Sequence, residues 1–179
     1  YERNVWVGTP SSQTVESVKT SYVNELNDRN VAIVCQGLKL DDGKTYDPRY
    51  TACLLAGMQG ATPVATPLTR KEPTPVVLDT DQSFDVEAKA SLAIRNGIVL
   101  LTDPRNTGLR VERSVTTYSK DENKIFTEVS ANESLNICVR QVREDLQSQI
   151  GTRVIAGKAS EVNRVATKAL QDLVKVGFI

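Results

Sequence analysis

A chain of 179 residues, 40 % hydrophobic and 25 % charged, can bury one substantial core or two small ones. Acids and bases balance at 22 each, which leaves no electrostatic footprint for nucleic acid, and no apolar run reaches the length of a membrane span. Histidine is absent, so Ser-His-Asp and Cys-His nucleophile pairs and paired-histidine zinc helices are excluded, and any chemistry would rest on carboxylates, Lys or Tyr.

The chain opens on Tyr1-Glu2-Arg3 with no visible signal peptide, and it is expected to be a fragment of a longer protein. Val5-Trp6-Val7-Gly8 predicts a short strand, and Thr9 to Ser12 a turn with capping residues. Val15, Val18, Tyr22 and Leu26 recur at helical spacing, giving a helix over about 12–28. Val31 to Cys35 is an apolar run of the kind covered on both faces of a sheet. Strand, helix and strand within so few residues predict a parallel βαβ unit.

Gly43-Lys44-Thr45 after that strand resembles the end of a phosphate loop. Five residues separate Gly37 from Gly43 where four are required, and no helix follows directly, so an Asp-Gly turn is the expectation. Asp47 and Pro48 then form a helix start, cap and first residue, for a helix running to Ala61. The prolines at 63, 67, 73 and 75 mark an extended crossing segment and the best candidate boundary. Val76 to Leu78 predicts a strand, and Asp79-Thr80-Asp81 a turn rather than a calcium loop. A helix is expected over 84–95, ended by Asn96-Gly97, and a buried strand over 98–102. Asp103 to Gly108 reads as a turn.

The stretch from Leu109 to Ile150 reads as the unit around which the rest is organised. Leu109, Val111, Val115 and Thr117 share one parity of an alternating strand over 109–118, and a polar loop follows over 119–124. Ser130 to Glu133 has the form of a capping box. Behind it, Leu135, Cys138, Val139, Val142, Leu146 and Ile150 form one apolar helical stripe. Asn132-Glu133-Ser134 matches a glycosylation acceptor, but nothing in the sequence signals secretion. Arg153 to Ala156 predicts an extended piece, and 158–176 a final helix with Val162, Val165, Ala166, Ala169, Leu173 and Val176 inward. Arg164, Lys168 and Lys175 gather on the other side, either as a solvated face or as a basic stripe for an acidic protein surface. Cys35, Cys53 and Cys138 are widely spaced in apolar runs and are expected as buried small hydrophobes, not a disulfide framework or zinc site.

The layout is α/β, a mixed β-sheet of six or seven strands packed with helices. Two parts are expected, 1–72 and 73–179, packing as one compact unit. The order of the pieces resembles the contractile tail sheath proteins of bacteriophages and related injection machines. The residues that carry the likeness are Ala52 to Ala61 with Pro67-Leu68-Thr69-Arg70-Lys71, Ala88 to Thr102, Val111 to Tyr118, Val139 to Leu146, and Leu170 to Ile179. The first part is similar to the region that family calls subtilisin-like, a name for fold only. The resemblance implies a structural, non-enzymatic subunit of the virion, made in the bacterial host cytoplasm, with no cofactor and no metal. Its implied partners are other sheath subunits in six-membered rings, the tail tube and the baseplate, with no nucleic acid and no membrane insertion. It implies Arg164, Lys168 and Lys175 as contacts to the tube or to neighbours. The terminal arms that link family members by β-augmentation are expected to lie outside this chain, which would leave it mostly monomeric. A nucleotide-binding α/β enzyme domain, and the sheath of a related injection or secretion system, are the alternative readings.

Overall fold

A computed structural model describes residues 3–10, 13–73, 77–81, 87–103, 108–121, 123–151 and 157–177. In chain order its elements are β1 (Val5–Gly8), α1 (Val15–Val18), a π-helical turn (Lys19–Val23), α2 (Asn24–Leu26), β2 (Val31–Val34), β3 (Leu38–Leu40) and β4 (Thr45–Tyr46). Then come α3 (Pro48–Ala61), β5 (Val77–Thr80), α4 (Glu87–Arg95), β6 (Ile98–Thr102) and β7 (Arg110–Arg113). The chain continues with α5 (Lys124–Thr127), α6 (Val129–Leu146) with a 3-10 turn (Gln147–Gln149), and α7 (Lys158–Lys175).

Two sheets result. The central one has the order β1-β2-β6-β7, and a smaller one the order β4-β3-β5. β1, β2 and β6 run parallel and β7 antiparallel, so the sheet is mixed and the opening βαβ unit is parallel. The pleat sorts the apolar runs between two layers. Ala32, Val34, Val99 and Leu101 face α3 and the start of α6, in a core with Ala52, Leu55 and Val129. Ile33, Cys35, Ile98 and Leu100 face the other way, against Val15, Val18, Val23 and Ala93. Residues on both sides of position 72 contribute to each layer.

Several local readings hold for plain reasons. The Asp47 carboxylate accepts from the Arg49 N–H at 3.0 Å, with Pro48 as the first helical residue. Gly97 ends α4 at φ 73°, and a Cβ there would lie 2.7 Å from the Thr116 carbonyl oxygen. Gly43 turns the β3–β4 hairpin at φ 74°.

Others are corrected. The first helix carries a π-helical turn, which adds a residue to the turn and moves the inward position to Val23. Leu26, expected inside, is 43 % exposed. The surface excursion after β2 contains two short strands that alternation does not reveal over so few residues. Asp79 and Thr80 belong to β5 and not to a turn, because they pair with Lys39 and Leu38 of β3. The alternating strand is shorter than its pattern. It stops at Arg113, and Ser114 to Thr117 are buried while bonding to other partners, Thr117 N–H to the Val31 carbonyl and Thr116 N–H to the Thr127 carbonyl. The polar loop over 119–124 gives way to a short helix, α5, capped by Asn123.

The capping box is displaced. α6 starts two residues earlier than that box places it, at Val129, with Glu128 and not Ser130 as its N-terminal flanking residue. A backbone bridge between Val115 and Glu128, with Val129 N–H donating to the Ser114 carbonyl, fixes that start, so Ser130 lies inside the helix. Of the cysteines only Cys35 is buried; Cys138 is half-buried and Cys53 exposed. The readings placed on Tyr1-Glu2, Ser11-Ser12, Val76, Phe84 to Val86, Pro104 to Thr107, Arg153 to Ala156 and Phe178-Ile179 lie outside the described residues.

One buried side chain extends the central sheet. β2 and β6 pair only through Ile33–Ile98 and Val34–Val99. Two residues on, Gln36 replaces the ladder: its Oε1 accepts from the Leu101 N–H at 2.7 Å and its Nε2 donates to the Leu101 carbonyl at 2.9 Å. Thr51 Oγ1 donates to the Gln36 carbonyl, which ties α3 to the same point. Gly37 follows where nothing larger fits, since a Cβ would sit 2.3 Å from the Tyr46 carbonyl oxygen. Its N–H donates to Asp81 at 2.6 Å.

Candidate interaction surface

α6 and α7 pack along one another, and the expected stripes take part only partly buried. Leu135, Cys138, Val139, Val142 and Leu146 are half-buried, and Ile150 is 77 % exposed. On α7, Ala169 and Leu173 are buried, Val162, Val165 and Ala166 are half-buried, and Val176 is 67 % exposed.

All three sequence-predicted surface residues are exposed on α7, and the structure divides them. Arg164 and Lys168 line a shallow cavity of about 420 Å3 with Asp145 of α6 and Val165 and Asp172 of α7. Lys175 is not among its lining residues and pairs with Asp172 at 3.1 Å. The stripe is therefore of mixed charge, since two carboxylates lie among the cations. Exposed pairs of this kind contribute about 0–1 kcal/mol each and act more on register and selectivity than on affinity.

The side of α6 turned to the body is polar, and residue periodicity did not identify it. Asn132 and Asn136 are buried at 0 % and 3 % exposure. Asn132 Nδ2 donates to Asn4 Oδ1 at 3.1 Å and to Asn30 Oδ1 at 2.9 Å, and Asn136 Nδ2 donates to Asn30 Oδ1 at 3.0 Å. Glu133, offered by its sequence as a capping residue, instead accepts from the Ala65 N–H at 2.9 Å and from Gln59 Nε2 at 3.2 Å. Gln59 Oε1 accepts from the Trp6 indole at 2.9 Å. The signal available in the sequence was the i, i+4 pair of asparagines beside a carboxylate, a pattern that reads equally well as a solvated face.

Other chemistry-bearing groups among the described residues sit apart from one another. Gly43 and Lys44 lie in the turn of the β3–β4 hairpin, with Lys44 near Asp42, and Thr45 opens β4; the next helix starts only at Pro48, beyond that strand, and its N-terminus is already capped by the Asp47 carboxylate. Burial pushes the Cys35 thiol up to about 12, with nearby Asp81 adding to the effect, so it is not a ready nucleophile. The Tyr46 and Tyr118 phenols are held above their ordinary range by hydrogen bonds to Asp42 and Asp121. Among the described residues no group of three metal-ligating side chains gathers, and no helix is long and apolar enough to cross a membrane.

No protein-family model matches the chain. Its sequence is 29 % identical over 161 residues to the protein named "Putative tail sheath protein" of Enterococcus phage phiEF24C, across 86 % of this chain and 28 % of that one. The chain spans about a quarter of the length of the curated relatives it matches. Its fold superposes on the sheath tail protein of Desulfitobacterium hafniense with a TM-score of 0.69 at 17 % identity, over 87 % of this chain and 37 % of that one. It superposes likewise on the contracted sheath complex of an extracellular contractile injection system, with a TM-score of 0.67 at 15 % identity, over 95 % of this chain and 48 % of that one. The likeness to tail sheath proteins expected from the residue pattern is thus found in sequence, against a phage protein, and in fold, against solved sheaths.

Proposed function

We propose that this chain is the core of a contractile phage tail sheath subunit. Such subunits would stack in rings of six around the tail tube, above a baseplate, and shorten to drive the tube through the cell envelope. The observation that carries the reading is the agreement of a phage sheath likeness in sequence with a sheath fold over nearly the whole chain. The physical arrangement supports it. The free energy is invested in a layered sheet-and-helix body, and the cavity lined by Arg164 and Lys168 is a half-open surface hollow rather than a closed pocket. A body of this kind would do work by exchanging one set of interfaces for another.

On this reading the protein resides in the virion tail, made in the host cytoplasm, and parts 1–72 and 73–179 act as one unit. Arg164, Lys168 and Lys175 would meet the tube or a neighbouring subunit, with Asp145 and Asp172 setting register. The nucleotide-binding alternative has lost its motif to the β3–β4 hairpin. Antibodies raised against this chain should decorate virion tails along their length in immunogold electron microscopy. Labelling confined to capsids or tail fibres, or absent from virions, would overturn the reading. Reversing the three charges in the full-length protein should weaken assembly on the tube and change its salt dependence.

A further inference from the structure

We propose that α6 and α7 form a separately opening unit, a helical hairpin that lifts from the sheet body as one piece while the body stays folded. The proposal is independent of the sheath reading, and rests on how α6 spends its two faces. α7 is packed along it, and the residues of its apolar stripe from Leu135 to Leu146 are only half-buried. Toward the body, the buried residues are Val129, Asn132 and Asn136. Beyond Val129 that seam is amide against amide, backed by the Glu133 bonds to Ala65 and Gln59. Such bonds are traded for bonds to water at small net cost, whereas apolar burial is not.

Two further observations weaken the seam. The Oδ1 atoms of both Asn132 and Asn136 are buried without a partner, which penalises the docked state. A half-open cavity of about 320 Å3 also enters between α3 and α6, lined by Trp6, Ala56, Gln59, Glu133, Asn136 and Ile137, so solvent space already reaches the joint. The pivot is given by the backbone. Glu128 is extended, at φ −112° and ψ 133°, and is bridged to Val115, while Val129 is buried in the main core. Opening therefore turns about Glu128 and Val129, which remain with the body.

Native-state hydrogen exchange of the whole chain, at rising sub-denaturing urea, tests this. Amides from Asn132 to Leu146 and across α7 should exchange through one shared opening, at least about tenfold faster than those of β2 and β6 and with a smaller urea slope. Asn136→Leu should then slow exchange of the hairpin by about tenfold and leave β2 and β6 unchanged. That substitution removes an unpartnered oxygen and creates none, because Asn30 Oδ1 keeps Asn132 as its donor. Hairpin amides that share the rate and slope of β2 and β6 would overturn the proposal without bearing on the sheath reading. Exchange that is unchanged or faster in Asn136→Leu would overturn the role of the seam, and the wild-type measurement stands whether or not that variant folds.

Discussion

Helices α3 and α6 lie on the same face of the central sheet but are held there by different forces. α3 brings Ala52 and Leu55 into the main core, and Thr51 adds a buried hydroxyl bond to the Gln36 carbonyl. α6 contributes Val129 to that core and then continues with asparagines and a glutamate. An apolar interface is stabilised by what it removes from water, and a polar one only by the difference between two sets of hydrogen bonds. The first makes a helix part of the body, and the second leaves it attached but replaceable.

The largest expected effect comes from breaking the apolar side. Leu55 is fully buried, and Leu55→Ala should destabilise the chain by about 3 kcal/mol in urea denaturation, with every probe shifting together. If α6 were docked as firmly as α3, truncating Val139 would do the same. It is half-buried on the hairpin stripe, so Val139→Ala should cost under about 1.5 kcal/mol and move probes on α6 before those on the sheet.

A second contrast sets one buried amide against another. Gln36 is satisfied at both ends by Leu101, so Gln36→Leu leaves a buried N–H and C=O without partners and should cost about 2 kcal/mol in the same denaturation experiment. Asn136 is satisfied at one end, so the identical change there should be neutral or stabilising. Equal losses at both positions would mean that the seam under α6 is as finished as the link between β2 and β6.

These two amides also show what a linear sequence can and cannot carry. The runs Val31 to Cys35 and Ile98 to Thr102, the Asp47-Pro48 helix start and the Asn96-Gly97 stop were legible, because each depends on the residues within it. Gln36 as a stand-in peptide unit was not, because its partner is 65 residues away. The capping box failed for the same reason: Ser114 and Val115, distant in the chain, supply the start of α6 and free Glu133 for Ala65. The stripe on α6 was legible as an apolar face, but its residues are half-buried and Ile150 is exposed. Periodicity tells that a helix has an apolar face and not which neighbour takes it. For the candidate surface, the exposure of Arg164, Lys168 and Lys175 was legible from helical spacing, whereas Asp145 reaches their groove from another helix.

A smaller effect probes one polar tie. Glu133→Gln keeps the side-chain shape but removes the charge from the bonds to Ala65 and Gln59, and should cost about 1 kcal/mol, read as faster exchange confined to α6 and α7. A global shift of the unfolding midpoint by that amount would place Glu133 in the body's own network.

The three cysteines grade the same comparison by their exposure. Cys53 is exposed on α3 and should react with a thiol reagent at the rate of a free thiol. Cys138 is half-buried on α6, and its labelling should follow the opening of the hairpin. Cys35, fully buried on the far layer, should wait for global unfolding; with its thiol pushed up to about 12, only about a thousandth is ionised at pH 9 even if reagent could reach it. Between about pH 9 and 12 the folded chain keeps that proton and the unfolded chain releases it, so stability falls as pH rises through this window. Cys35→Ala should remove that part of the slope. At neutral pH and rising urea, Cys138 should become reactive at lower urea than Cys35. Were the two to become reactive at the same urea concentration, α6 would be as much a part of the body as α3, and the contrast between the helices would be one of composition without consequence for motion.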